Sequence, residues 1–304
     1  MNYRHVYHAG NFADVLKHAV FTLIIEHLKR KDAPFRVIDT HAGRGRYPLT
    51  SAAAGKTGEW RDGIGRLLGR DVRTLPHDAA QILAPYLEAV RAENAPGAIN
   101  MYPGSPCLAR RLMRPQDVLI VNEIHPDELE QLRAAVGRDR RVKVMELDGW
   151  VALRSLLPPK ERRGVILIDP PFEQEGEFGR IAEGLAQGLQ RFATGIFVAW
   201  YPIKDPKPIA RFHEALAAMG ERRFLRVELL IRRPSDPDTL NGCGLVIANP
   251  SYTLEGDLGV IMPVLSHVLA QGAGSRHRID WIAGPLQGAR NGAREGKRRV
   301  RTAG

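Results

Sequence analysis

Two rhythms of apolar residues run along this chain. Over Ala13–Lys31, Leu16, Val20, Leu23, Ile24 and Leu28 recur at helical spacing, and Asp32-Ala-Pro34 ends the run. Elsewhere, short apolar runs bounded by turn residues read as buried strands. Arg36–Thr40, Val118–Asn122, Val142–Leu147, Val165–Ile168 and Gly195–Trp200 are five of these. Helices are predicted over Pro126–Val136 and near Pro208–Met219. Phe224–Ile231 and Gly244–Ala248 read as a late antiparallel pair, Leu254–Leu269 as a last helix and His277–Ile282 as an edge strand. Strands alternating with helices predict an open α/β sheet. No internal repeat is present.

One stretch breaks the alternation. About 70 residues separate Gly45 from the second strand, where a plain βαβ unit needs ~30 in total. Thr57–Leu68 and Asp78–Asn94 have helical patterns, punctuated by Pro76 and Pro96-Gly97. Residues 48–104 therefore read as a helical insertion beside the ligand crevice, since a loop of this length without a function is uncommon.

Acids end the first four strands: Asp39, Glu123, Asp148 and Asp169. Ligands of open α/β sheets bind beyond the carboxyl ends of the strands, where the four acids are expected to gather. The last acid opens Asp169-Pro170-Pro171-Phe172. Proline lacks an N–H and restricts the residue before it. The carbonyls of Asp169 and Pro170 then stay rigid and outward-facing, beside a carboxylate and a planar ring. Such a corner can receive an aromatic amine: the carboxylate and a carbonyl accept the two amino hydrogens, and Phe172 stacks on the base. A strand-ending turn is the plainer alternative.

Asp39-Thr-His41-Ala-Gly43-Arg-Gly45 follows the first strand. A nicotinamide fingerprint needs a third glycine where Pro48 stands, and an acid about 20 residues on. Neither is present. The loop suits S-adenosylmethionine, which has no phosphates to cradle. Glu123 can bond both ribose hydroxyls, and Asp148-Gly149 can take the adenine amino group. Tyr3-Arg4-His5, Tyr7-His8 and Asn11 interleave aromatics with donors, a pattern suited to stacking on and bonding a base. Lys17 and His18 open the first helix and are expected to point to the same crevice. His5, His8, Asp14 and His18 lack a metal-ligand spacing, so no metal is expected. Pro106-Cys107 has the look of a pyrimidine-C5 nucleophile but precedes the second strand. A small buried cysteine is the better reading.

Composition narrows the partners. Hydrophobic content of 44% and charged content of 26% are ordinary for a globular protein. No apolar run spans a bilayer, no signal peptide opens the chain, and two cysteines make no disulfide framework, so a cytoplasmic location is expected. Net charge is +10, of which +5 lies in Gln287–Gly304. That tail reads as disordered, and with basic clusters around Arg110, Arg138, Lys160 and Arg222 it points to a polyanion.

Long segments of the chain resemble one family. Tyr3–His18, Asp39–Tyr47, Tyr102–Pro106, Leu167–Pro171 and Ala193–Pro202 are similar to the bacterial 23S ribosomal RNA adenine-N6-methyltransferases of the RlmJ type. The resemblance implies a Rossmann-like class I methyltransferase sheet with a helical insertion, acting on one adenine of 23S rRNA. It implies that His18, His41, Ser105, Glu123, Asp148 and Gly149 bind S-adenosylmethionine, that Asp169 is catalytic and that Tyr3 contacts the RNA. Pro170 and Phe172 join Tyr3 on the substrate side. Asp169–Phe172 resembles the Asp/Asn-Pro-Pro-aromatic motif of methyltransferases that modify exocyclic amino groups, with Phe172 in place of the more usual tyrosine. The expected division is a first helix and core start over 1–47, the insertion over 48–104, the remaining core over 105–285 and a basic tail over 286–304, in a monomer. A DNA adenine methyltransferase would share every core residue, and a non-catalytic RNA-binding module would not need the acid set. A protein glutamine methyltransferase favours Asn at position 169.

Overall fold

The computed structural model describes residues 5–69, 75–220, 224–234, 236 and 239–282. Tyr3, Arg222 and the basic tail lie outside them. The chain begins with helix α1 (Phe12–Lys29), whose N-cap Asn11 accepts from the amides of Ala13 and Asp14. Strand β1 (Arg36–Asp39) leads into a short ribbon, β2 (Arg46–Pro48) against β3 (Met101–Pro103), and helices α2 (Ala52–Thr57), α3 (Ile64–Gly69) and α4 (His77–Arg91) lie between its strands. After α5 (Ser105–Leu112) come β4 (Val118–Asn122), α6 (Pro126–Val136), β5 (Val142–Met145), α7 (Gly149–Ser155) and β6 (Gly164–Ile168). The chain continues through α8 (Glu177–Arg191), β7 (Ile196–Ile203), α9 (Pro206–Ala217), β8 (Phe224–Leu230), β9 (Gly242–Ala248), α10 (Leu254–Val268) and β10 (Arg276–Ile282).

The main sheet runs β10-β8-β9-β7-β6-β1-β4-β5. Strands β5, β4, β1, β6 and β7 are parallel, β9 is antiparallel to both β7 and β8, and β10 closes the edge antiparallel to β8. The late antiparallel pair and the edge strand are as the sequence predicts. Strands with both faces covered carry continuous apolar runs. In β6, Val165 and Leu167 pack with α1 and α10 on one face, while Ile166 and Ile168 pack with α8 and α9 on the other. After β1 the chain moves outward to β4 and β5, then crosses back to β6. The order reverses between β1 and β6, and in open α/β sheets a ligand crevice lies at that switch point.

Two expectations change. Thr57–Leu68 is not one helix: α2 stops at Thr57, Gly58 turns left-handed at φ 61, and a 3-10 turn over Glu59–Arg61 precedes α3. The break lets the N-terminal segment dock. A Cβ on Gly63 would lie 2.1 Å from the Gly10 carbonyl, which accepts from Ile64 N at 2.8 Å. The basic clusters also differ in kind. Arg114, Arg141 and Arg163 donate to backbone carbonyls of the chain entering β1 and of α5. These three members stitch the amino ends of the strands, opposite the crevice, while Arg111, Arg138 and Arg140 stay exposed.

Candidate active site

A cavity of about 520 Å³ opens above the carboxyl ends of β1, β4, β6 and β7. His18, His41, Ser105, Glu123, Gly149, Asp169, Pro170 and Phe172 all line it. Residues far apart in sequence meet because the switch point gathers these strand ends and α1 packs beside β6.

On one side sits a buried ion cluster. Lys17 Nζ donates to Asp169 Oδ2 at 2.5 Å and pairs with Asp14 Oδ1 at 2.9 Å. Asp14 Oδ2 takes the Gly10 amide and His5 Nε2, each at 2.9 Å. Lys17 is 5% exposed, Asp14 1% and Asp169 17%. Burial alone would lower the Lys17 ammonium, but the carboxylates of Asp14 and Asp169 hold it well above the usual lysine range. Burial likewise works against ionised Asp14, and His5 and Lys17 outweigh it, keeping that carboxyl well below its ordinary value. The sequence places Lys17 at the crevice, yet gives no sign that it holds Asp169 across 152 positions. His8 bonds Glu59 at 3.0 Å, and Asn11 Nδ2 donates to the same carboxylate at 2.9 Å, tying the entrance to the helical insertion.

The opposite side is built from strand ends. Asn122 donates to the carbonyls of Thr40 and Leu147 and accepts from Leu147 N, stapling β1, β4 and β5 together. Glu123 accepts from Gly43 N and His125 N, both at 2.8 Å, so the Gly-rich turn is held against this acid. Burial pushes the Glu123 carboxyl up, against those amides. Gly149 is fixed by its neighbour: a Cβ there would lie 2.2 Å from His41 Nε2. His18 packs on Tyr102 and bonds its hydroxyl at 2.6 Å, and Tyr102 meets Tyr86 of α4 at 3.0 Å.

The four strand-end acids do not all gather in the cavity. Asp39 is 1% exposed and outside it; its carboxylate takes Ser105 Oγ at 2.6 Å and the His41 amide, and burial pushes it up to about 7. Asp148 is exposed and does not line the cavity. Its Oδ1 caps α7, accepting from Trp150 N and Val151 N. Only Glu123 and Asp169 of the four face the cavity. Cys107 is 2% exposed, and burial pushes its thiol up to about 11. That suits a packed side chain and not a nucleophile. Among the described residues, no group of three or more His, Cys, Asp or Glu could hold a metal ion.

Phe172 carries φ 51, a left-handed conformation that bulky residues rarely adopt and that costs of order 1–3 kcal/mol. Its ring meets Trp200 edge-on at 5.8 Å and Phe178 at 5.0 Å. The strained backbone stands directly after Asp169, Pro170 and Pro171 on the cavity wall.

The buried imidazoles set a pH dependence. Burial lowers His18 to about 3 and His41 to about 4, and His213, on α9, to about 4. Below pH 6.5 the unfolded chain protonates all three while the folded chain does not. Asp39 works the other way, holding a proton in the folded state up to about 7. Between pH 4.5 and 6, roughly, unfolding takes up a net of about two protons from these groups. These four groups alone would lower stability by about 2.7 kcal/mol for each unit the pH drops, and the raised carboxyls of Glu123 and Glu177 offset part of that, so the expected result is a clear fall in stability toward acid pH. Urea unfolding across that range checks it; a flat profile would refute the neutral buried histidines.

A mostly parallel sheet with this strand order, an acid-lined crevice at the switch point and an Asp-Pro-Pro corner define a Rossmann-like class I methyltransferase that uses S-adenosylmethionine. The family described as "Ribosomal RNA large subunit methyltransferase D, RlmJ" matches residues 32–283. The chain is 42% identical over 282 residues to ribosomal RNA large subunit methyltransferase J of Escherichia coli K12, covering 93% of this chain and 99% of that protein. It is 40% identical over 284 residues to the protein of that name from Haemophilus influenzae, with the same coverage. A crystal structure of a Legionella pneumophila protein superposes with a TM-score of 0.82 at 33% identity, over 90% of this chain and 98% of that one. The chain belongs to the RlmJ family of ribosomal RNA large subunit methyltransferases.

Proposed function

We propose that the chain methylates the exocyclic N6 of one adenine in 23S rRNA, acting as a monomer in the cytoplasm. The observation that supports this most is the shared cavity, which Asp169, Pro170 and Phe172 line together with Glu123 at the end of β4 and Gly149 at the start of α7. When bound, S-adenosylmethionine supplies an activated methyl group. The residues fit that cofactor: Glu123 would hold the ribose, His41 and Gly149 the adenine, and His18 and Ser105 the remaining polar groups. Asp148, at the rim, keeps Oδ2 for the adenine amine. Helices α2–α4 are taken as an insertion subdomain, and Tyr3 as an RNA contact.

On the substrate side, the N6 lone pair is delocalised into the ring. Accepting its hydrogens at Asp169 Oδ1 and the Pro170 carbonyl draws the nitrogen toward tetrahedral geometry and frees the pair for attack. Lys17 occupies Oδ2, which fixes the carboxylate and leaves Oδ1 for the amine. Catalysis of this kind is mainly positioning and electrostatics. The target base must leave its stack, at a few kcal/mol. Stacking on the Phe172 face, at roughly 1–3 kcal/mol, can offset that.

Glu123→Ala should weaken S-adenosylmethionine binding tenfold or more, roughly one charged hydrogen bond at 1.5–3 kcal/mol, and leave RNA affinity unchanged. An unaltered cofactor dissociation constant in calorimetry would remove the ribose role. The function itself is tested by offering naked 23S rRNA and duplex DNA with labelled cofactor. Methyl transfer to the RNA alone supports the proposal, and transfer to DNA alone contradicts it.

A further inference from the structure

Strand β7 leaves the cavity in a definite direction. Its alternate residues Tyr201 and Ile203 enter the core beneath α8 and α9. Trp200 and Pro202, on the other face, line the cavity, and Lys204 continues that face just past the strand end. Asp205 then caps α9, its carboxylate accepting from Lys207 N at 2.9 Å. Ile209, Phe212 and Leu216 bury one side of the helix. Lys207 and Arg211 stand on the exposed side, one helical turn apart. Lys204, Lys207 and Arg211 thus form a single file of cations that starts at the cavity wall and runs outward. The charge of Lys204 is felt at His8, across the entrance. None of the three forms an ion pair with a described residue, and the file ends at the exposed acid Glu214.

Resting on the proposed RNA methylation, we propose that Lys204, Lys207 and Arg211 are the track that holds the phosphate backbone of the substrate RNA beside the extruded adenine. Lys204 precedes the helix and Lys207 and Arg211 stand a turn apart along it, an arrangement that suits an extended polyanion better than a single phosphate. About 6 Å of helix rise separates Lys207 from Arg211, so each can meet a different phosphate. Such contacts fix the register of the strand without reading its bases. The rival basic surface, with exposed Arg111, Arg138 and Arg140, lies toward the amino ends of the strands. A backbone held there cannot deliver its own base to Asp169.

The test measures binding of unmodified 23S rRNA against salt concentration for wild type, the triple variant Lys204→Ala, Lys207→Ala, Arg211→Ala, and a second triple, Arg111→Ala, Arg138→Ala, Arg140→Ala. The first triple should lose about 0.7 in log–log salt slope per contact, about 2 in all, and roughly 10- to 100-fold in affinity near 0.1 M salt. Its calorimetric affinity for S-adenosylmethionine should match wild type, which separates a lost contact from a lost fold. Lys204→Arg with Lys207→Arg and Arg211→Lys should keep the wild-type slope. The second triple should change little. An unaltered slope in the first triple, or a loss confined to the second, overturns the track while wild-type methylation stands. Failure of the wild type to bind or methylate the RNA would overturn the function as well.

Discussion

Asp169→Ala is expected to abolish methyl transfer while S-adenosylmethionine binds within a few fold of wild type. The carboxylate lines the cavity, held by Lys17, and takes no part in the contacts that hold Glu123 to Gly43 or Gly149 to His41. Losing one preorganised group aimed at the reacting centre costs roughly 10²–10³ in turnover. Here the loss also frees Lys17 to face the incoming amine. Asp169→Asn should fare little better. Its single amide oxygen would be claimed by Lys17, turning the amide N–H2 toward a nitrogen that must lose, not accept, hydrogen-bonded protons. Single-turnover assays with saturating RNA read both variants. Near-wild-type turnover in Asp169→Ala would refute the assignment.

Lys17→Met should have the second largest effect, on stability and activity together. The side chain sits between Asp14 and Asp169. Removing one partner of a buried ion pair costs about 3–5 kcal/mol, because the remaining charge is stranded. Asp14 would keep only His5 and the Gly10 amide. Urea unfolding should show the drop. Adding Asp14→Asn removes the stranded charge and should restore part of the stability, without restoring turnover, since Asp169 still lacks its anchor. A single variant as stable as wild type would show that the cluster carries no such energy. A double variant with restored turnover would show that Lys17 does not position Asp169.

The parts of the fold that the sequence made legible are those whose burial is uniform. Strands β1, β4, β6 and β7 are short apolar runs because helices cover both faces, edge strand β5 shows a weaker alternation with Lys143 exposed, and acids end or follow four of the five strands. Helix α8 was illegible, since Gly179, Gly184 and Gly188 dilute its pattern and glycine is a poor helix former. The ribbon of β2 and β3 is only three residues a side. At the site, residue types and order along the chain were readable, but side-chain direction was not. Asp39 and Glu123 both end strands, yet Asp39 turns to Ser105 in the core while Glu123 faces the cavity. Asp148 is drawn aside to cap α7, a helix too short to announce itself. The Lys17–Asp169 pair depends on α1 packing beside β6, a tertiary fact with no local signature. The Asp-Pro-Pro-Phe corner was legible because its chemistry is contiguous.

The most direct measurement digests 23S rRNA, prepared without this modification and incubated with the purified protein and S-adenosylmethionine, and maps the products by mass. The proposed mechanism predicts one new N6-methyladenosine at a single position with wild type, and none with Asp169→Ala. A methyl group on a pyrimidine carbon or on protein, or an Asp169→Ala variant that still makes N6-methyladenosine, would contradict it.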